Sequence, residues 1–107
     1  MWFKVIHLPV LKVDGMALFP FILVRKAGHK TDPRLINHEK IHLAQQLELL
    51  ILPFYLLYQL HYLVNLIRYR KHDRAYRNIV FEKEAYAMES CPEYLKNRPF
   101  WAWAKFL

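Results

Sequence analysis

A chain of 107 residues has the size of one domain, so residues 1–107 are expected to form a single unit, and an enzyme with a cleft between two lobes is excluded. With 55% hydrophobic and 16% aromatic residues and only two glycines, it has the material for a core and is not a disordered, collagen-like or linker protein. A formal charge of +7 favours an anionic neighbour, and the single cysteine, Cys91, excludes an intramolecular disulfide and a cysteine-rich zinc module.

Residues 1–15 are interrupted by Lys4, Lys12 and Asp14 and lack the unbroken apolar run of a signal peptide, so the expected location is the cytoplasm. Residues 10–13, the Asp14-Gly15 pair and residues 16–19 read as a β-hairpin, with residues 21–25 as a further strand after Pro20. Thr31-Asp32-Pro33 is a helix start, because Thr31 or Asp32 can cap free amides and proline suits the first helical position. The first helix is expected over 34–52, where Pro53 kinks or ends it. A second is expected over 54–70 and a third over 77–90, stopped by Cys91-Pro92. The tail from Arg98 is aromatic, with Phe100, Trp101, Trp103 and Phe106.

His38-Glu39-Lys40-Ile41-His42 on the first helix is an HExxH pattern. Histidines four apart lie one turn from each other on the same face, so both imidazoles can reach one metal. Glu39 points to the neighbouring side, where it can take a proton from an activated water without being a ligand. Catalytic zinc generally has three protein ligands, and Phe81-Glu82-Lys83-Glu84-Ala85-Tyr86 on the third helix offers two carboxylates. Only one can face the site, since residues two apart on a helix diverge.

His38-Glu39-Lys40-Ile41-His42 followed by Gln45-Gln46, with Glu82-x-Glu84-Ala85 downstream, resembles the gluzincin metallopeptidases, particularly small ones with an HExxHxxQQ helix and a later ExEAD-type helix. The resemblance spans positions 38–86. It implies an α+β, zincin-like fold: a small N-terminal β-sheet followed by about three helices, the first carrying HExxH. It also implies Zn2+ held by His38, His42 and Glu82, with Glu39 as catalytic base and a peptide or protein as substrate. The alanine spacing selects Glu82 and places Glu84 outside the site. The chain departs from the family at Tyr86, where an aspartate commonly orients a ligand histidine; a phenol brings no charge to that task. His72 or Tyr76 is a candidate oxyanion donor, and a substrate strand is expected on an exposed edge formed by residues 21–25. Gln45 and Gln46 either bond beside the site or coat the helix. His7, His29, His61 and His72 have no local ligand partner, and Cys91 has no basic neighbour in sequence to activate it.

Residues 49–67 carry no charge, which raises the question of a membrane span. Tyr55, Tyr58, Gln59, Tyr62, Asn65 and Tyr69 form a polar-aromatic stripe opposite Leu56, Leu60, Leu63 and Ile67, the pattern of one helix with two faces. A crossing would also put the two histidines and Glu82 on opposite sides of about 30 Å of hydrocarbon, so a core or interfacial helix is expected. Arg68, Arg70, Lys71, Arg74 and Arg77, with Trp2-Phe3 and the tail tryptophans, suit peripheral contact with an anionic membrane. The alternative to a peptidase is a non-catalytic membrane-associated or protein-interaction module, with or without a structural metal. Nucleic acid ranks last as a partner, because no recognised motif accompanies the basic run.

Overall fold

In the computed structural model, which describes residues 3–107, the chain is α+β: a three-stranded sheet and five α-helices. The strands are β1 (Lys4–His7), β2 (Gly15–Leu18) and β3 (Phe21–Val24), in the order β1-β3-β2, with β3 parallel to β1 and antiparallel to β2. The expected hairpin is therefore displaced. Its turn is Phe19-Pro20, and residues 10–13 form no strand; Val10 is largely exposed. Gly15 belongs to β2 rather than to a turn. A Cβ there would lie 3.0 Å from Leu35 Cδ1 and 3.1 Å from Glu39 Oε2, so the glycine is what lets the helix behind the sheet approach this closely.

That helix is α1 (Pro33–Glu48). It starts as expected: the Asp32 carboxylate accepts from the amides of Arg34 and Leu35 at 3.0 and 3.3 Å, and Pro33 occupies the first turn. Ala17, Ile22 and Val24 of the sheet pack with Leu43 of α1 into one core. Helix α1 stops at Glu48, and α2 (Leu52–Tyr69) departs at 112° to it. Proline 53 sits in the first turn of α2, where its missing amide costs nothing. The corner is made instead by Leu50 and Ile51, both at positive φ (59° and 38°), a strained conformation for side-chain-bearing residues.

The expected third helix is divided into α3 (His72–Arg77) and α4 (Val80–Met88). The break is held by His61, whose Nδ1 accepts from the Val80 amide at 3.0 Å, so this histidine caps α4. A second core of Phe54, Ile79, Val80 and Phe81 joins α2 to α4, and Trp103 and Phe106 pack against it. Half of the aromatic tail is thus core, while Phe100 and Trp101 are exposed. Helix α5 (Tyr94–Asn97) and a 3-10 turn (Ala102–Phe106) complete the chain. Among the described residues no single helix is long and apolar enough to cross a membrane. Trp2 lies outside the described residues.

Candidate metal centre

Three side chains from α1 and α4 converge between the two cores. His38 Nε2 and His42 Nε2 lie 3.2 and 3.1 Å from the same carboxylate oxygen, Oε1 of Glu82, and all three residues are buried. They are brought together from positions 40 and 44 apart in the chain by buried amide side chains that bolt α1 to its neighbours. Asn37 Nδ2 donates to the carbonyls of Met88, Glu89 and Cys91 at the end of α4. Gln45 Nε2 donates to the Phe81 carbonyl and to Glu84. Gln46 donates to the Ala17 carbonyl and accepts from the Phe19 amide, tying α1 to the hairpin. The two glutamines are therefore structural members of the site and do not coat the helix.

The opposite edge of each imidazole is also fixed. His38 Nδ1 donates to Glu89 Oε1 at 2.8 Å, and His42 Nδ1 donates to Gln45 Oε1 at 2.8 Å. The amide orientation of Gln45 follows from its two acceptors on the other side. With both Nδ1 atoms carrying protons, both Nε2 atoms turn lone pairs toward Glu82 Oε1. Three electron-pair donors facing one another repel unless a cation lies among them. Tyr58 donates to the other oxygen, Oε2, at 2.5 Å, which leaves Oε1 free to face the histidines. Ligand atoms on a tetrahedral ion with bonds of about 2.0–2.1 Å stand about 3.3–3.4 Å apart, close to the two nitrogen–oxygen distances observed, and all three atoms lie within 4.8 Å of one another. The group can hold a metal ion.

Without a metal, a proton on His42 takes that place. Burial by itself pulls the His42 imidazole down, but the Glu82 carboxylate beside it outweighs this and pushes it up to about 9. Burial likewise opposes ionisation of Glu82, yet His42 and the hydrogen bonds from His38, His42 and Tyr58 hold it well below the usual carboxylate range. Glu39, buried in the same cavity of about 250 Å³, is raised, chiefly by desolvation, with His42 and His38 acting in the opposite direction.

Glu84 lies elsewhere. It is fully buried and engages Arg98, Tyr94 and Gln45, so it is not an alternative ligand. Tyr86 packs edge-on against the His38 ring and donates to the Tyr76 hydroxyl, while the negative charge beside His38 Nδ1 comes from Glu89, anchored by Arg34 at 2.6 Å. Glu82 and Glu89 are seven apart and share a helix face, a spacing that marks Glu89 in the sequence. Tyr58 had no comparable local mark. Tyr76 lines the cavity with the triad, whereas His72 bonds to Tyr62 and lines the adjoining hollow. The strand of residues 21–25 is not an edge, because β3 is paired on both sides; β2 is the edge strand beside the cavity. No protein-family model, no curated protein and no solved structure matches this chain.

Proposed function

We propose that the chain is a zinc metallopeptidase of the gluzincin type with a zincin-like arrangement of edge strand and HExxH helix. The observation that carries this reading is the convergence of two imidazole lone pairs and one carboxylate oxygen beside a buried carboxylate, Glu39, that is not among them. His38, His42 and Glu82 would hold the ion, and two nitrogens with one carboxylate oxygen suit zinc. Zinc in such a site supplies a Lewis acid that polarises a peptide carbonyl and acidifies water.

The remaining work belongs to the chain. Glu89 and Gln45 hold the imidazoles in one tautomer and orientation, and Tyr58 keeps Glu82 presenting a single oxygen. Glu39 accepts the proton of the attacking water on its carboxylate and delivers it to the leaving amine; its raised affinity for protons makes it a stronger base. Tyr76, kept protonated by burial and by the Glu82 charge, is the donor for the developing oxyanion. The substrate lies extended along β2, the edge strand, and not on residues 21–25.

The test is metal content. Protein purified without added metal is expected to carry about one zinc per chain; His38→Ala, His42→Ala and Glu82→Ala should each lose it, while Glu84→Gln should keep it. Equal content in wild type and the three site variants would refute the reading. Affinity should also depend on pH in a stated direction. Because His42 holds a proton up to about 9 in the metal-free chain, metal must displace it, and affinity should rise about tenfold per unit between pH 7 and 9 and then level off. In the metal-free protein the raised His42 contributes stability that is present below the ordinary histidine value and lost as pH rises through about 9. Titration of the apoprotein with zinc at several pH values checks the first statement, and thermal melts check the second.

A further inference from the structure

Helix α2 is inside out for a helix packed in water. Beyond Phe54, which joins the second core, its inward face is polar: Tyr58 bonds Glu82, His61 caps α4, Tyr62 bonds His72, and Asn65 donates to the Ala75 carbonyl at 3.1 Å. Its outward face is Leu52, Leu56, Leu60, Leu63, Val64 and Ile67, exposed by between 51% and 78%. At 100° per residue these six fall within about 120° of one another. An unbroken apolar stripe of this extent forgoes the burial energy of every leucine in it and marks a surface with a partner.

The charge beside the stripe identifies that partner. Where α2 ends, Arg68, Arg70, Lys71, Arg74 and Arg77 follow, all exposed, with Asp73 as the only acidic residue among them. A second copy of a chain carrying +7 would be repelled; an anionic bilayer is attracted. The helix has 18 residues, about 27 Å of length, and its inner face is committed to the site and to α3 and α4, so only the outer face can meet hydrocarbon. We infer that the protein docks on anionic membranes by laying the outer face of α2 into the headgroup boundary, with the basic cluster on the phosphates. The metal site then stands on the same side of the bilayer as the rest of the chain. This inference does not rest on the peptidase reading.

Co-sedimentation of the full chain with vesicles tests it. Wild type should pellet with phosphatidylcholine–phosphatidylglycerol vesicles at low salt, less so at high salt, and little with phosphatidylcholine alone. Leu56→Gln/Leu60→Gln/Leu63→Gln, whose side chains point away from the core, should retain its circular dichroism and lose affinity at least about 100-fold. Arg68→Gln/Arg70→Gln/Lys71→Gln should lose about 100-fold and most of the salt dependence. Wild type remaining in the supernatant with anionic vesicles would overturn the inference, as would undiminished binding by the leucine variant. A lipid-free dimer in light scattering that the leucine variant dissociates would also overturn it, by showing that a second copy covers this face.

Discussion

Glu39→Gln is expected to retain its zinc and to lower peptide hydrolysis by about 10²–10⁴-fold. The substitution keeps the shape of a side chain whose Oε2 approaches Gly15 too closely for a Cβ there, and it removes only the ability to take a proton. Glu39 lines the cavity together with His38, His42 and Glu82 but is not one of the three converging donors, so the metal has no reason to leave. In the metal-free chain burial outweighs the opposing influence of His42 and His38 and holds Glu39 above its ordinary 4.5; the zinc-loaded wild-type rate should fall at low pH as Glu39 takes up a proton, and the variant should lack that limb. Hydrolysis of a peptide mixture and zinc content, measured on the same preparations, decide the matter. A zinc-loaded Glu39→Gln with full activity would remove Glu39 from the chemistry, and loss of zinc would make it a ligand or a structural element.

Arg98→Met should be the most damaging single change to the fold. The Arg98 guanidinium reaches Glu48 at 2.7 and 3.0 Å and Glu84 at 2.5 and 3.0 Å, and the three side chains are between 0% and 5% exposed. Tyr94 and Gln45 donate further to Glu84, and the Trp101 amide to Glu48. One cation thus holds two buried carboxylates from α1 and α4, beside the glutamine that orients His42. Its removal leaves both anions without a counter-charge, a loss of about 3–5 kcal/mol in a domain whose total stability is of the order of 5–15 kcal/mol. The melting temperature should fall by at least about 12 °C.

The pH dependence has a sign. Burial opposes ionisation of Glu84, but the hydrogen bonds from Arg98, Tyr94 and Gln45 prevail and hold it below its ordinary value. In wild type its contribution is therefore present above about 4.5, the ordinary glutamate range, and lost as pH falls through the lowered folded value. In Arg98→Met the stranded Glu84 carboxylate takes up a proton more readily, so the deficit should be larger at pH 7 than at pH 4. Glu48→Gln/Glu84→Gln/Arg98→Met should recover much of the loss, because it buries no unpaired charge. A single variant as stable as wild type, or a triple variant no better than the single, would show that charge compensation is not what Arg98 provides.

What the sequence determined by itself was local. Asp32 and Pro33 start α1 because capping needs only residues within one turn, and the spacing of His38 and His42 puts both rings on one face by helix geometry alone. That Glu82 and Glu84 diverge was legible too, since residues two apart cannot share a face, but the choice of Glu82 came only from the alanine spacing of the gluzincin resemblance; in the structure Glu82 meets the two histidines and Glu84 meets Arg98. The two stripes of α2 were equally legible, but not which of them turns inward. That depended on the hydrogen-bond partners waiting in α3 and α4, which draw the tyrosines, His61 and Asn65 in and leave the leucines outside. Strand pairing was beyond reach for the same reason: β1 finds β3 across the whole hairpin, and Gly15 reads as a turn until α1 is seen pressing against it. Glu89 and Tyr58 reach the site's side chains from 51 and 24 positions away, and Arg98 reaches Glu48 from 50. Contacts at that separation are set by how whole helices pack, and only the tertiary structure decided them.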